Sequence, residues 1–565
     1  MTHRHLAASL IVVAAFAAFA ASSAGAQVPG APLPPLPPQL DIDFATGRGA
    51  AMYGGLEGLT RVFLSSIRRY DQPEAGPRPL SEPQSIMLPI PERERRLQSM
   101  LSLNPNALDE AAAADAARAR GEDGPLLGVA MVIKDNIEVR GLPTTAGSMA
   151  LIDNAPDREA PLVERLREAG VVFLGKSNLS EWANIRSPNS VSGWSAVGGL
   201  TRNAHALDRN ACGSSSGSGA AVAARFAVAA IGTETDGSIV CPAAINGIVG
   251  FKPTVGMVSR THIVPISHSQ DTAGPMTRTV EDAAIILSVI AGSDPADPAT
   301  AEADARKTDF RAALDAGSLR GTRIGVARFL SGYSPGTDAV FEQTLQALRD
   351  AGAVLVDITD GPDMEAIGAA ETTVLQYELK ADLNAYLAST DPAQVRTRTL
   401  ADVIAFNAAT PREMALFGQE TFIKAEATGG LDDPEYLAAR ETSLRLAGVE
   451  GIDRMLAQND VVALIAPTVG PAWSIDLVNG DHYLGAASTL SAVAGYPHLT
   501  VPMGLVQGLP VGLSFIGAKW DDARILSLGY AFEQATHAFR PAVMVRSVDD
   551  LPRVEPILAP LAARR

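Results

Sequence analysis

Ser238 lies in a segment whose residue types suit a reaction better than a regular helix or strand. Residues 232–244 read GTETDGSIVCPAA. The segment carries too many small polar residues for an ordinary core strand, and it is too short and too rich in glycine for a helix. Ser238 is therefore either a turn residue or a nucleophile. Because a nucleophilic serine needs a partner that accepts its proton, the choice depends on whether the sequence offers a base.

Lys134 is a candidate for that base. Lysine is scarce in this chain, and Lys134 ends the apolar run GVAMVIK, which is typical of a buried strand. A strand that carries an amine into the interior lowers the pKa of the amine by desolvation, and a neutral lysine can accept a proton near pH 7. The alternative is a strand-end lysine whose long side chain reaches water. Taken alone, the segment favours this alternative.

A loop rich in glycine and serine precedes Ser238. It reads ACGSSSGSGAAVAA at 211–224 and leads into a helix of small residues. Such a loop places hydroxyl and backbone N–H groups at the positive end of a helix. Taken alone, it is either a flexible turn or a phosphate-binding loop, and it lacks the Gly-Lys-Ser/Thr ending of the latter.

Two other serine-hydrolase arrangements fit less well. Residues 213–217 match Gly-x-Ser-x-Gly, which would make Ser215 the nucleophile of an α/β-hydrolase with His482, His498 or His537 as its base. That turn must follow a strand directly, whereas the preceding LTRNAHALDRNAC is polar and irregular. A Ser-x-x-Lys arrangement is excluded because no lysine has a serine three residues before it.

Lys134, the loop at 213–218 and Ser238 together resemble the catalytic set of the amidase signature family, whose members use a Ser-cisSer-Lys relay. In that family the nucleophile follows the first serine of the Gly-Ser-Ser loop by 24 residues, and Ser214 and Ser238 have this spacing. The resemblance covers roughly residues 45–540. The similar segments are GPLLGVAMVIKDNIEVRGLPTTAGS, TRNAHALDRNACGSSSGSGAAVAA, AIGTETDGSIVCPAAINGIVGFKPTVGMVS, SQDTAGPMTR and AGYPHLTVPMG with GLPVGLSFIG.

The resemblance implies a role for each of these residues. Ser238 would attack the amide carbonyl, Lys134 would act as the base, and Ser214, after a cis peptide bond, would pass the proton between them. Backbone N–H groups would form an oxyanion hole, and two further side chains would support the relay. These are Thr235, Asp236, Gly237 and Ser238 for the oxyanion hole, and Ser215 and Thr233 for the support. Alternatively, the carboxylate of Asp236 stabilises the turn and takes no part in the chemistry.

The remaining sequence predicts an α/β protein. The runs LLGVAMVIKD, VVFLGK, VVALIAPT, HLTVPMGL and PVGLSFIG are apolar strand signals, and the amphipathic helix APLVERLREAG separates the first two. The resemblance implies the amidase-signature fold, a large central twisted mixed β-sheet covered by helices on both faces. We expect an amidase domain at 42–545, mostly helical over about 42–120. We also expect a helical excursion at about 360–450 that shapes the substrate side, and a C-terminal tail at 546–565.

Residues 1–26 are typical of a secretory signal peptide. A basic start around Arg4 precedes an apolar stretch at 6–20, and Ala24-Gly25-Ala26 matches a cleavage pattern. An uncleaved anchor is the alternative, but the stretch is short of the ~20 residues of a spanning helix. Residues 27–41 predict a Pro-rich tether. We therefore expect an exported protein, periplasmic or secreted, cleaved near Ala26 and without a transmembrane segment in its mature form.

Charge and composition exclude some classes of partner. The formal net charge is −17, and no basic stripe or nucleic-acid module is present, so nucleic acid is not an expected partner. The only cysteines, Cys212 and Cys241, favour two small buried thiols over one local disulfide. The histidines, including His262 and His268, show no metal-ligand spacing, so we expect neither a metal nor another cofactor. The sequence does not indicate an oligomeric state.

The resemblance also bears on the substrate. The segments around Ser238 and the Gly/Ser loop look most like peptide amidases, which remove ammonia from C-terminal peptide amides. Many relatives carry Arg two residues after the nucleophile, and Val240 at that position argues against a small carboxylate substrate. The expected substrate is a peptide amide or another small carboxamide. The alternatives are an aryl-, acyl- or fatty-amide hydrolase of the same fold, and a catalytically silent binding scaffold.

Overall fold

The structure, a computed structural model, describes residues 40–71 and 96–558. The predicted signal peptide and nearly all of the predicted tether lie outside the described residues. Leu40, at the end of the predicted tether, is buried, and its carbonyl oxygen accepts a hydrogen bond from Arg278 Nε (2.8 Å). The chain is therefore already packed against the domain at residue 40.

One 11-stranded mixed sheet organises the protein. In chain order its strands are β1 Met100–Leu103, β2 Ala130–Lys134, β3 Val172–Ser177, β6 Ala229–Glu234, β7 Val249–Lys252, β8 Thr272–Thr277, β9 Arg323–Ala327, β10 Val354–Ile358, β11 Leu464–Pro467, β12 His498–Val506 and β13 Leu509–Ile516. Two short strands, β4 Trp194–Ser195 and β5 Gly199–Leu200, form a separate hairpin.

The strand order of the sheet is β1-β3-β2-β6-β8-β7-β12-β13-β11-β9-β10. Strand β2 is parallel to both β3 and β6, and β9 is parallel to both β10 and β11. The strands between them pair antiparallel. Strands β2 and β6 are buried at every position, as expected for parallel strands covered on both faces.

Helices cover the sheet on both faces, which confirms the predicted fold class. The α-helices are α1 Ile42–Thr46, α2 Arg48–Met52, α3 Leu56–Tyr70, α4 Ala107–Ala119, α5 Pro161–Glu168, α6 Ser216–Ala223, α7 Val240–Asn246, α8 Val280–Ile290, α9 Ala303–Arg306, α10 Pro335–Asp350, α11 Met364–Ser389, α12 Leu400–Ala409, α13 Glu420–Glu426, α14 Pro434–Leu444, α15 Arg454–Asn459, α16 Thr489–Ala494, α17 Asp522–Thr536 and α18 Glu555–Leu558. A π-helix at Arg445–Asp453 joins α14 to α15. None of the helices in the described ranges is long and apolar enough to cross a membrane.

The prediction of mostly helix over about 42–120, of which residues 72–95 lie outside the described residues, meets one exception, a short strand. Residues Met100–Leu103 form β1, an edge strand that pairs antiparallel with β3. The segment is only four residues long and lies between helical sequences, so its apolar pattern is too short to give a strand signal. Pairing with β3, which follows much later in the chain, decides its conformation.

The region predicted as a helical excursion contains α11 to α14, and the long helix α11 has 26 residues. The loop after α12 is anchored to the first half of the chain through Glu413. Its carboxylate accepts hydrogen bonds from the backbone N–H of Met149 (2.7 Å) and from Ser148 Oγ (3.0 Å). Its carbonyl oxygen accepts from Arg186 Nη1 (2.7 Å). The excursion is therefore attached to the same part of the domain that carries the predicted site.

The preference for free thiols was also wrong, because Cys212 and Cys241 form a disulfide with a Cα–Cα distance of 6.0 Å. Both cysteines lie in an apolar cluster with Ile245 and Trp473. Their separation in sequence does not reveal this contact. It arises because α7 starts directly after Ser238 and brings its first turn against the residue that precedes Gly213.

Candidate active site

Lys134 lies at the carboxyl end of β2 and is completely buried. Because β2 and β6 are parallel neighbours, their carboxyl ends meet at one edge, which places Lys134 beside Thr233. The amine Nζ lies 2.7 Å from Ser214 Oγ, 2.8 Å from Thr233 Oγ1 and 3.1 Å from the Thr233 carbonyl oxygen. Strand β2 therefore places the amine against the Gly/Ser loop and away from water.

The environment of Lys134 favours the neutral amine. Burial lowers the pKa of Lys134 from 10.5 to about 7, against the opposing charges of Asp271 and Glu234. Among the described residues the amine contacts only uncharged oxygens, so no direct ion pair with them restores its usual basicity. A substantial neutral fraction near pH 7 makes it competent as a general base.

Ser214 follows a cis peptide bond between Gly213 and Ser214, as the resemblance implied, and it is fully buried. Packing requires glycine in this loop. A Cβ atom at Gly213 would lie 2.1 Å from Ser180 Oγ, and one at Gly217 would lie 2.2 Å from the Ser99 carbonyl oxygen. The glycines thus let the loop pass close to its neighbours while helix α6 begins.

Ser238 lies between β6 and α7, and 8% of its surface is exposed. Its carbonyl oxygen accepts a hydrogen bond from the N–H of Ser215 (3.1 Å), which holds the two serine segments side by side. Within the described ranges, the Ser238 hydroxyl makes no hydrogen bond, so the contact with Ser214 that a relay needs is not formed in this conformation. The hydroxyl is available to the cavity that Ser238 lines.

Residues 235–238, which we call the oxyanion loop, present four backbone N–H groups at the predicted positions. In the part of the chain that the structure describes, the N–H groups of Thr235, Asp236, Gly237 and Ser238 have no hydrogen-bond acceptor, and all four residues line the cavity. Gly237 has a φ of +77°, a conformation that glycine adopts without strain. The turn therefore leaves donors open beside the candidate nucleophile, as oxyanion stabilisation requires.

Ser215 and Thr233 lie where the sequence analysis expected support for the relay. Ser215 Oγ donates to the Thr233 carbonyl oxygen (3.0 Å) and accepts from the Thr233 N–H (3.2 Å). These bonds leave Ser215 facing β6, and none joins it to His482, His498 or His537. His498 instead bonds Ser514 Oγ through Nε2 (2.6 Å). The geometry therefore gives no support to Ser215 as the nucleophile of an α/β-hydrolase.

The structure adds polar residues that the sequence analysis missed. Asn136 Nδ2 donates to Thr233 Oγ1 (3.0 Å), which fixes the threonine beside Lys134. The carboxylate of Glu234 accepts the N–H groups of Ile239 (2.7 Å) and Val240 (3.0 Å) and so holds the start of α7. In the sequence, Asn136 and Glu234 were marked only by lying close to predicted site residues, in the segments KDN and TET.

Ser238 opens into a cavity of about 660 Å³, which is large enough for a small organic ligand or short peptide. The oxyanion loop and the disulfide line this cavity, together with residues 183–185, 187–192, 473, 477–481 and 483. Leu375 of α11 and Leu416 add apolar surface from the helical region. The candidate nucleophile therefore faces a preformed site built from both halves of the chain.

A second cavity of about 480 Å³ borders Asn136 and Thr233 on the lysine side. His262 and His268 line it. In the described ranges, one set of side chains has metal-ligand donor atoms within 4.8 Å of one another: His268, Glu378 and Asp382. His268 Nδ1 already pairs with Asp382 (2.9 Å), and Glu378 accepts from Tyr436 Oη (2.7 Å). These groups satisfy one another as an ion-pair and hydrogen-bond network.

Comparisons with known proteins agree with this geometry. The family model named Amidase matches residues 91–526. A probable amidase from Arabidopsis thaliana is 38% identical over 458 residues, covering 79% of this chain and 84% of the plant protein. A putative amidase from Arthroderma benhamiae is 34% identical over 486 residues, covering 80% of this chain and 78% of the fungal protein.

Solved structures are similar over nearly the whole chain. The native peptide amidase from Stenotrophomonas maltophilia is 47% identical with a TM-score of 0.80, covering 90% of this chain and 99% of that one. A structure of the peptide amidase PAM in complex with the competitive inhibitor chymostatin is 48% identical with a TM-score of 0.82, again covering 90% and 99%. The chain therefore belongs to the amidase signature family and is an amide-hydrolysing enzyme.

Proposed function

We propose that this enzyme removes ammonia from C-terminal peptide amides, with Ser238 as nucleophile and Lys134 as base acting through Ser214. The observation that carries the mechanism is the dry contact of Lys134 Nζ with Ser214 Oγ at 2.7 Å. The similarity to peptide amidases and a cavity of about 660 Å³ beside Ser238 support the substrate class.

The reaction starts with a relayed proton. Neutral Lys134 donates its two N–H bonds to the Thr233 oxygens, and its lone pair accepts the Ser214 hydroxyl proton. Ser214 takes the proton of Ser238 after the Ser238 side chain rotates to a neighbouring staggered rotamer. Such contacts are often incomplete without substrate and form in the complex.

The Ser238 oxygen then attacks the carboxamide carbon, and the negative charge on the carbonyl oxygen is stabilised by N–H groups of the oxyanion loop. The proton returns through Ser214 to the amide nitrogen, the C–N bond breaks and ammonia leaves. An acyl ester on Ser238 remains. Water, deprotonated by the same relay, hydrolyses the ester and releases the carboxylic acid and free Ser238.

Ammonia release from a substrate panel tests this function. The panel contains peptide amides, aryl amides, fatty amides, and free asparagine and glutamine. We expect the highest kcat/KM with peptide amides; preference for another group would replace this substrate class with the aryl-, acyl- or fatty-amide alternative. A silent scaffold would release no ammonia from any of them and would not be labelled by a serine-directed fluorophosphonate.

Ser238→Ala tests the nucleophile. Loss of the nucleophile is expected to lower kcat by at least about 10⁴-fold and to abolish fluorophosphonate labelling. Ser293→Ala, a change at a partly buried serine far from Ser238 in sequence, is the matched control and should keep both. Activity within tenfold of the wild type in Ser238→Ala would contradict the assignment.

Export is part of the proposal. The signal-peptide pattern at residues 1–26 supports it, and so does the disulfide between Cys212 and Cys241, since disulfides persist in oxidising compartments. The mass and N-terminal sequence of the protein recovered from periplasmic and culture fractions test it. A start at Gln27 is expected, whereas an intact Met1 in the cytoplasm would contradict export.

A further inference from the structure

Thr235, the first residue of the oxyanion loop, is held by side chains that lie outside this loop. Strands β6 and β8 are antiparallel neighbours in which Glu234 pairs with Thr272, so Thr235 just after β6 meets Asp271 just before β8. Thr235 Oγ1 donates a hydrogen bond to Asp271 Oδ1 (2.6 Å). The mechanism described above gives this carboxylate no role, although it contacts the loop that carries the oxyanion donors.

The Asp271 carboxylate is itself fixed by residues 266–271, which we call the bracing loop. Its Oδ2 accepts hydrogen bonds from the backbone N–H groups of Ile266 (2.8 Å) and Ser267 (2.9 Å). Burial raises the pKa of Asp271 to about 6, with these hydrogen bonds opposing the rise, so the group is mainly ionised at pH 7 and above. The Thr235 hydroxyl therefore donates to a charged oxygen in a fixed position, which is the stronger class of hydrogen bond.

The bracing loop is attached to the long helix α11. The backbone N–H of His268 donates to Asp382 Oδ2 (2.8 Å). Gln270 Nε2 donates to Glu371 Oε1 (2.8 Å) and also to the carbonyl oxygen of Thr235 (3.3 Å). The side chain and the carbonyl group of Thr235 are thus both held by a loop that the helical region supports.

The contact with the Thr235 carbonyl group bears directly on an oxyanion donor. This carbonyl and the N–H of Asp236 belong to one planar trans peptide group, so they point in opposite directions. The Asp236 N–H is among the donors of the oxyanion loop that have no acceptor in the described ranges. Fixing the carbonyl on the side of Gln270 therefore fixes the direction of the N–H on the other side, and oxyanion stabilisation depends on donors that are already aimed.

We propose that Asp271, together with Gln270, is a positioning residue that keeps the N–H groups of the oxyanion loop aimed at the carbonyl oxygen in the transition state. This inference rests on the proposed function, because it concerns the same reaction. Neither side chain lines the cavity that Ser238 faces, and each acts through Thr235. Loss of the contact between Thr235 and Asp271 should weaken binding of the transition state and leave binding of the ground state unchanged.

Two matched inhibitors separate these two kinds of binding. N-acetyl-alanyl-phenylalaninal is a peptide aldehyde, and its carbonyl carbon forms a tetrahedral adduct with the oxygen of a reactive serine. N-acetyl-alanyl-phenylalaninol, the corresponding alcohol, has the same side chains but no carbonyl group at that position. The ratio of the alcohol Ki to the aldehyde Ki therefore measures how well the enzyme stabilises the tetrahedral state. It is measured at pH 8, where Asp271 is ionised.

Thr235→Val removes the hydroxyl and keeps the shape of the side chain. The Ki ratio should fall by about 10- to 100-fold, the range for a charge-assisted hydrogen bond. The kcat for N-acetyl-alanyl-phenylalanine amide should fall by a similar factor, while its KM and the alcohol Ki stay unchanged. Thr235→Ser keeps the hydroxyl and should restore the ratio. Gln270→Met should have a smaller effect, because its contact with Thr235 is longer.

Thr261→Val is the matched control. It removes another threonine hydroxyl that donates to a carboxylate, that of Asp294, without touching the oxyanion loop. Its Ki ratio should equal that of the wild type.

Asp271→Asn completes a double-variant cycle. Alone it should lower the Ki ratio severalfold or more, and adding Thr235→Val should then cost at most about threefold, because the two side chains form one contact. Asp271→Asn also removes a charge that raises the pKa of Lys134. That effect is common to both backgrounds and cancels in the cycle.

The outcomes distinguish this inference from the proposed function. An unchanged Ki ratio in Thr235→Val would overturn the inference, as would equal weakening of both inhibitors or additive losses in the cycle. Melting temperatures establish that each variant is folded, and Thr235→Val against Thr235→Ser decides if Asp271→Asn is not. Turnover of the amide by the wild type keeps the proposed function in all these cases. If the wild type releases no ammonia and binds the aldehyde no better than the alcohol, the proposed function itself fails.

Discussion

Two fully buried lysines on neighbouring strands of the sheet have opposite surroundings. Lys176 on β3 contacts a carboxylate, with 3.1 Å between its Nζ and Asp135 Oδ1, and also donates to Thr144 Oγ1 (2.9 Å). In the part of the chain that the structure describes, Lys134 on β2 contacts only the neutral oxygens of Ser214 and Thr233. Burial lowers the pKa of both, but for Lys176 the adjacent Asp135 opposes that effect. Burial alone therefore does not make a lysine the base; Lys134 also has no direct carboxylate partner among the described residues, and its amine contacts the Ser214 hydroxyl.

The sharpest way to break this comparison is to remove the proposed base. Lys134→Met should lower kcat/KM by about 10³- to 10⁴-fold, because general-base catalysis contributes about 10²- to 10⁴-fold and the relay also loses its geometry. Ammonia release measures the loss, and circular dichroism establishes that the fold is kept. An activity within tenfold of the wild type would assign the base to another group.

Lys176→Met tests the second lysine of this comparison. It leaves the Asp135 carboxylate buried without its partner, so the free energy of unfolding should fall by about 3–5 kcal/mol. Urea denaturation measures this loss. The double variant Lys176→Met with Asp135→Asn removes the stranded charge and should regain part of the stability. A catalytic loss as large as that of Lys134→Met in correctly folded Lys176→Met would remove the distinction between the two lysines.

The disulfide beside the proposed proton relay allows a test of its contribution to stability. Cys212 and Cys241, 29 residues apart, link the segment before Ser214 to the helix after Ser238. Replacing both by serine should lower the free energy of unfolding by about 3–4 kcal/mol, the loop-closure contribution for this separation. Guanidinium denaturation of the oxidised enzyme, the reduced enzyme and the variant measures it. Equal stability of all three would mean that the link contributes nothing.

The smallest expected effect concerns the pH dependence. Deprotonation activates Lys134, so kcat/KM should rise with pH through about 7, the pKa set by burial. Thr233→Val removes an acceptor that favours the protonated amine, so the midpoint should move below that of the wild type, with a rate loss of about tenfold. A pH–rate profile of both enzymes decides this, and a midpoint that moves upward would contradict the hydrogen-bond pattern.

Much of the site could be predicted from sequence because its residues occur in long local motifs. Lys134 ends a recognisable strand run, and Ser214 and Ser238 have a fixed spacing. The mixed sheet was implied by the resemblance of the same segments to the amidase signature family. The motif also implied the cis bond at Ser214, which composition alone would not reveal.

The parts that could not be predicted depend on contacts between distant segments. Gln270 links Glu371 of α11 to the Thr235 carbonyl oxygen, and nothing in the helical sequence around Glu371 marks this contact. Cys212 and Cys241 looked like isolated thiols until α7 was placed against the Gly/Ser loop. The edge strand at Met100–Leu103 is defined by its partner β3. In each case tertiary pairing, and not local propensity, decides the outcome.

The strand order has a consequence for how the chain reaches its native state. Strand β7 lies between β8 and β12 in the sheet, although β12 is synthesised nearly half a chain later. Until residues 498–506 emerge, β7 is an open apolar border that could pair with the wrong chain. The proposed catalytic residues are all encoded before that point, yet the sheet beneath them is unfinished. Truncated or stalled chains should therefore aggregate rather than act as small active fragments.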